Sequence, residues 1–406
     1  MRTLVDIVKK TELTVTYNFD DFIERGIHKT ISDEERKESK GYEVVTNPWS
    51  QFKRNDAIIY HTNGIVSLQP MEQPTDKIVF SEASFAEQLL GHSNGDNAGL
   101  LNHLSKKTCL FIGLSLEDET LRATLVRSAK QNPGNYHYYV HYTKASSLTE
   151  EDKDAIKLTN FRVYNLITLF LDENGIADFL DLIDMKEPAF LDSCQRCDVN
   201  PAFRYYFTGP LGVGKSTTLN NLRNLTVYDE WLEQRPAILG KPWEDLTDAE
   251  RDKVDNWIVG QFKLKNDKLR YKNNGIFVID RAPMDPLAFT KPDGRPDKAK
   301  NLMEAYSPEE AKYTVLPGMI FFMTGDFKEL SLRMKLTNRP DYNETKLKNM
   351  DNDLKEVYGE RNLAVIDTTS LSIHEVVKKV AEIIHLGEYK PVVIHDLLQA
   401  AIKGTI

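Results

Sequence analysis

Residues 203–217, FRYYFTGPLGVGKST, pass from an aromatic, apolar run through a glycine-rich turn into the helix-forming TTLNNLRNL, and this order decides the fold. Positions 209–216, GPLGVGKS, satisfy G-x-x-x-x-G-K-[ST] with the strand before and the helix after that the motif requires. Gly209, Gly212 and Gly214 let successive backbone N–H groups point inward around a phosphate chain, and the helix N-terminus adds partial positive charge. Lys215 is then expected to reach the β- and γ-phosphates and Ser216 to ligate Mg²⁺, with Thr217 in the same cofactor-binding set. ATP and Mg²⁺ are the cofactors this implies.

Working outward, short β-branched and aromatic runs follow at LTVYDE (225–230), GIFVID (275–280), GMIFFMTG (318–325) and LAVIDTT (363–369). With FRYYFTG they make five strands alternating with helices, the pattern of a five-stranded parallel sheet in an α/β phosphate-loop lobe. Its last helix is expected to open at Ser372, where Ser-Ile-His-Glu375 fits a capping box. Upstream, LTVTY (13–17), AIIYH (57–61), KIVF (77–80), TCLFIG (108–113) and YHYYVHY (136–142) read as buried strands between amphipathic stretches, a second parallel α/β lobe. The helix expected over IADFLDLIDM (176–185) closes that lobe, and KEPAFLDSCQRCDVNPAF reads as a connector. The expected division is 1–195, 196–390 and a C-terminal extension, 391–406.

Phosphoryl transfer needs cationic forks along the equatorial oxygens and a carboxylate beside the acceptor hydroxyl. Glu230 and Asp229, at the end of the second strand of this series, and Asp280, at the end of the third, are the candidates for that base. Arg281, Arg333 and Arg339 are the candidate phosphoryl clamps, and a solvated helix face is the other reading of the last two. Gln261, on the QFKLKN helix, could meet a base edge, and Trp231 could stack on one.

On these residues, over about 203–386, the chain resembles the deoxynucleoside kinase and thymidylate kinase group of the phosphate-loop fold. Glu230-Trp231 is similar to the family's Glu-Pro-x-x-x-Trp stretch, without the proline. Asp280-Arg281-Ala282 is similar to its acidic-Arg-Ser motif, and Asp367-Thr368-Thr369 to the turn beside its adenine. The resemblance implies a kinase acting on a nucleoside or nucleoside monophosphate. Glu230 would be its base and Gln261 its base-reading amide, with Arg333 and Arg339 on a lid.

In the first lobe, TYNFDDFIE (16–24), YHTNGIV (60–66), VFSEASF (79–85) and LFIGLSLEDETLR (110–122) are similar to a sirtuin-like NAD-binding domain. Carried across, Asn18 and Asp20 would line the nicotinamide ribose, and Gly113, Ser115 and Asp118 the adenosine. The chain opens at MRTLVDIVKK, without the family's glycine-rich opening unit, and its catalytic His-Gly pair falls on Asn63-Gly64. An amide cannot take up a proton near neutral pH, so the base would be the displaced His61 or none. Three readings stay open: NAD cleavage, a degenerate domain that binds a nucleotide or partner, and a scaffold. The rival reading of the whole chain is a nucleotide-sensing regulator, as in antiviral defence, whose first lobe is an NAD-linked effector or a docking surface.

The chain has 406 residues, 41% hydrophobic and 28% charged, with a formal net charge of −9. That balance excludes an extended nucleic-acid surface, and no apolar run is long enough to span a membrane. Self-association stays open. Three cysteines, Cys109, Cys194 and Cys197, with no apolar leader point to a reducing cytoplasmic compartment. Cys194 and Cys197 have ligand spacing without a second pair, so they read as connector cysteines. His103, His137 and His141 read as packed or surface histidines, and Trp49, Trp243 and Trp257 as packing residues.

Overall fold

The computed structural model describes residues 2–30, 42–46, 57–67, 78–81, 84, 98–144, 148–222, 224–241, 245–307, 314–337, 339 and 342–405. The chain is an α/β protein that divides into two compact units, 1–131 with 136–190, and 132–135 with 191–406. Trp49, Trp243 and most of the VFSEASF block lie outside the described residues.

The first unit contains α1 (Arg2–Lys10), β1 (Leu13–Thr16), α2 (Phe22–Thr30), β2 (Tyr42–Val45), β3 (Ala57–His61), α3 (Ala98–Lys106) and β4 (Leu110–Ile112). After these come α4 (Glu119–Gln131), β5 (His137–Tyr142), α5 (Glu150–Tyr164), β6 (Leu166–Leu171) and α6 (Glu173–Asp184). Its strands form two three-stranded parallel sheets, in the orders β1-β3-β2 and β4-β5-β6. Val5, Val8, Ile27 and Ile59 close the core on the first sheet, and Leu121, Leu125, Tyr139 and Leu166 on the second. The structure departs from the expected strands in two ways. Residues 78–80 of KIVF are not strand, and β2 and β6 join as strands the periodicity did not single out. β6 is LITLFL, an apolar run that follows α5 after the single residue Asn165, whose left-handed backbone (φ 55°) ends the helix.

The expected connector is itself helical over α7 (Glu187–Arg196), with no buried residue in it. Cys194 and Cys197 are free thiols there.

The second unit runs through β7 (Ala202–Thr208), α8 (Lys215–Asn220), β8 (Thr226–Tyr228), α9 (Asp248–Arg270), β9 (Gly275–Asp280), α10 (Asp285–Ala288) and α11 (Arg295–Tyr306). It continues with β10 (Met319–Thr324), α12 (Phe327–Leu336), α13 (Glu344–Tyr358), β11 (Leu363–Asp367), α14 (Ile373–Leu386) and α15 (Ile394–Ile402). The five strands form one parallel sheet in the order β11-β10-β7-β9-β8. β7 sits at its centre, buried on both faces, which is why AFRYYFT is apolar almost throughout. The chain leaves β7 toward β8 and β9 on one side and later fills β10 and β11 on the other. The strand order therefore reverses beside β7, and the crevice of a parallel sheet opens at the carboxyl end of that strand.

Tyr206, Phe277, Ile279, Leu287, Leu302, Phe322 and Leu354 form the main core. Ile394, Leu398 and Ala401 of α15 belong to the same core, so the residues expected as an extension are part of the unit. α14 opens at Ser372 with the capping box to Glu375 in place, as its sequence predicts.

Candidate functional site

The register Phe207↔Asp280 and Phe322↔Thr208 brings the carboxyl ends of β7, β9 and β10 level. The turn after β7 takes Gly209, Gly212 and Gly214 through positive φ of 134°, 82° and 93°, conformations that a Cβ disfavours. At Gly209 the constraint is also spatial, because an added Cβ would lie 2.1 Å from the Met323 carbonyl oxygen. The loop thus hugs β10 and delivers Lys215, Ser216 and Thr217 to the first turn of α8.

Lys215 is buried, and its Nζ donates to the carbonyls of Gly209 and Pro210, both at 2.8 Å. Burial, with help from the neighbouring charge of Arg281, pulls its pKa down to about 7; Asp280, Asp285 and Glu230 oppose that shift. The Ser216 hydroxyl donates to Asp280 Oδ2 at 2.9 Å, while the buried Asp280 Oδ1 has no hydrogen-bond partner. One hydroxyl, one carboxylate with an open oxygen and a glycine cradle fit Mg²⁺ on a nucleotide, since Mg²⁺ takes few protein ligands and completes its shell with phosphates and water. Among the described residues no group of three or more His, Cys, Asp or Glu side chains could hold a metal by itself.

β9 ends in a sharp change of direction at Arg281, a non-glycine residue at φ 73°. Its N–H donates to Phe207 O at 3.0 Å, and its Nε donates to Glu230 Oε1 at 3.0 Å. Burial pushes the Glu230 carboxyl up, but the charge and hydrogen bond of Arg281, with Lys215 and Lys265, outweigh it and leave Glu230 below the usual carboxylate range. The structure thus joins Lys215, Ser216, Glu230, Asp280 and Arg281 through direct contacts and a shared field.

Two buried residues of this cluster were not singled out in the sequence. Lys265 donates its Nζ to Asp280 O at 2.6 Å, and burial pulls its pKa down to about 8. Asp285 accepts from Thr208 Oγ1 at 2.8 Å and from Tyr358 Oη at 3.0 Å. Gln261 itself is engaged: its Oε1 accepts from the N–H groups of Leu232 and Glu233, and its Nε2 donates to Glu233 Oε2 at 2.7 Å. Trp231 meets Trp257 with ring centroids 5.0 Å apart.

On the far side, Arg333 of α12 reaches the crest of the loop, its Nη1 donating to Gly212 O at 3.4 Å. Arg339 lies exposed past α12, and among the described residues no hydrogen bond or ion pair joins it to the loop. Asp367 accepts from Thr369 N–H at 2.9 Å, which folds the turn after β11.

In the first unit, Asn18 is exposed and Asp20 accepts from Phe22 N–H at 3.1 Å, opening α2. Ser115 is exposed, its Oγ accepting from Glu117 N–H at 3.1 Å. His61 is buried. Its Nδ1 lies 3.0 Å from the Asn18 carbonyl and its Nε2 2.7 Å from Glu24 Oε1. A carbonyl only accepts, so Nδ1 carries a hydrogen, and Nε2 is occupied by the Glu24 carboxyl. Asn63 Nδ2 donates to Tyr17 O at 3.1 Å. An open groove of about 540 Å³ along α4, lined by Arg122, Ala123, Val126, Arg127, Lys130 and Tyr164 among others, includes none of the predicted site residues.

A SIR2-like domain model matches residues 12–164. Among solved structures, the chain is similar to a deoxyadenosine kinase from M. mycoides with bound dATP, at 14% identity and a TM-score of 0.34, covering 45% of this chain and 99% of that one. A thymidylate kinase from Ehrlichia chaffeensis matches at 14% and 0.30, with coverage of 45% and 99%. A NadR protein in complex with NAD and AMP-PNP matches at 10% and 0.34, with coverage of 70% and 97%. At these scores nothing is argued from the likenesses, and the site is read from its own residues. The comparison with curated proteins finds no match. Among the described residues no helix is long and apolar enough to cross a membrane.

Proposed function

We propose that the second unit transfers a phosphoryl group from ATP, with Mg²⁺, to a hydroxyl of a nucleoside or nucleoside monophosphate. The observation that carries this reading is the pairing of the Ser216–Asp280 bond beside Lys215 with a Glu230 carboxylate held by Arg281. Ser216 and Asp280 would hold Mg²⁺, which supplies charge neutralisation at the phosphates when bound. Lys215 exchanges the carbonyls of Gly209 and Pro210 for phosphate oxygens. Glu230, kept ionised by Arg281, accepts the hydrogen bond of the acceptor hydroxyl and orients it in line. Arg333 adds positive charge at the loop crest, and Arg339 would join it only by a movement of the segment beyond α12.

A second reading, a nucleotide-binding regulator whose first unit is an NAD-linked effector or a docking surface, draws for the docking surface on the buried His61, both ring nitrogens of which are engaged by Asn18 and Glu24. Any antiviral role belongs with this second reading and rests on fold-level analogy. One experiment separates the two: incubate the protein with ATP, Mg²⁺ and a panel of nucleosides and monophosphates, and look for added phosphate by mass spectrometry. The kinase reading expects a phosphorylated acceptor that disappears in Lys215→Ala. ATP binding with no acceptor phosphorylated favours the regulator.

A further inference from the structure

We propose that Asp285 is a positioning residue of this site, a buried carboxylate that fixes the Arg281 guanidinium against Glu230. The inference rests on the kinase reading for its catalytic consequence but on the structure for its geometry.

Arg281 is buried in a left-handed conformation that a non-glycine residue keeps only when its surroundings hold it. Glu230 holds one edge of the guanidinium, but this carboxylate is one-third exposed and follows β8, a three-residue edge strand. Glu230 is therefore the softer partner. On the other edge, Arg281 Nη1 lies 3.7 Å from Asp285 Oδ2, and neither atom has a hydrogen-bond partner. A buried cation and a buried anion each need the other, because neither is solvated by water.

Asp285 is rigid where Glu230 is not. Its Oδ1 accepts from Thr208, the last residue of β7 before the phosphate loop, and from Tyr358 of α13. The Tyr358 oxygen in turn accepts from Met284 N–H at 2.8 Å, which turns the phenol hydrogen toward Asp285. One carboxylate is thus anchored on β7, α10 and α13 and presents its remaining oxygen to Arg281. The contacts run from Thr208 and the loop, through Asp285 and Arg281, to Glu230.

Asp285→Asn in the full-length protein tests this, since it keeps size and an oxygen for Thr208 but removes the charge that faces Arg281. Phosphoryl transfer should fall about 10- to 100-fold in kcat, the range for loss of a supporting residue, with KM for ATP nearly unchanged. That loss should vanish when Glu230→Gln is already present, because both changes break one chain of contacts. Tyr358→Phe, which removes one anchor but leaves the Asp285 charge in place, should cost less than Asp285→Asn and likewise not add to Glu230→Gln. Hydrogen exchange at Arg281 Nε–H, followed by NMR, should quicken in Asp285→Asn. Additive losses with Glu230→Gln, or unchanged Nε–H exchange in a folded Asp285→Asn, would overturn the proposal. If the wild-type protein phosphorylates nothing, the kinase reading fails, and the exchange rate alone decides whether Asp285 positions Arg281.

Discussion

Glu230 and Asp280 are both carboxylates just past or at the ends of parallel strands, and they differ in their neighbours. Asp280 accepts from Ser216 and has an open oxygen, whereas Glu230 is paired with Arg281. Asp280→Asn should therefore raise the Mg²⁺ concentration needed for nucleotide binding, measured by calorimetric titration at several Mg²⁺ levels. Glu230→Gln should leave nucleotide binding intact and lower transfer by about 10²- to 10⁴-fold, as for a lost general base. The reverse pattern would exchange the two roles. In the first unit, His61 has the Asn18 carbonyl on one nitrogen and Glu24 on the other, so its lone pair is not offered to a substrate. Incubated with NAD, the protein should release no nicotinamide above the uncatalysed rate. Robust release that disappears in His61→Ala would show that the His61–Glu24 pair opens.

Among the elements, α15 shows how a segment set apart in the sequence is drawn into the core. Its Ile394, Leu398 and Ala401 recur at helical spacing, and all three are buried with the residues that line the sheet. Leu398 is fully buried, so Leu398→Ala should cost about 2–5 kcal/mol, the range for emptying such a site. Urea unfolding followed by fluorescence would measure it, and a change under about 0.5 kcal/mol, the scale of surface substitutions, would mean that α15 is not part of the core. The caps behave locally: Ser372 with Glu375 and Thr247 with Glu250 each close a capping box between residues three apart in the chain.

At the scale of the whole molecule, each unit carries a histidine whose protonation opposes folding, His137 buried and His385 half-buried. Burial pulls the pKa of His137 in the first unit and of His385 in the second down to about 4. An unfolded histidine titrates near 6.5, so below that pH the unfolded chain binds protons that the folded one refuses. Stability should be flat above about pH 6.5 and fall between 6.5 and 4, by up to about 1.4 kcal/mol per pH unit for each histidine. Comparing urea unfolding at pH 7.5 and 5 checks the sign. The His137 contribution is isolated by His137→Gln, which should flatten the pH dependence of the first unit's transition. An unchanged slope in that variant would assign the acid sensitivity to carboxylates instead.

The phosphate loop, the five strands around it and the Ser372 cap were legible in the amino-acid sequence because each depends on consecutive residues. Glycine conformations, an apolar central strand and a hydroxyl three residues before a carboxylate act over a few bonds. In the first unit the same reasoning overreached at KIVF and passed over β2 and β6, because short strands take their state from the neighbours they pair with. Lys265 and Asp285 were invisible, since nothing near Lys265 on α9 says that it meets the Asp280 carbonyl, and nothing at Asp285 says that Thr208 and Tyr358 will converge on it. Those contacts follow from strand register and from how α9 and α13 pack on the sheet. The sequence by itself determined the conformation of the loop; only the tertiary structure decided which buried charges surround it, because ion pairs between distant residues exist only once the chain has closed the distance.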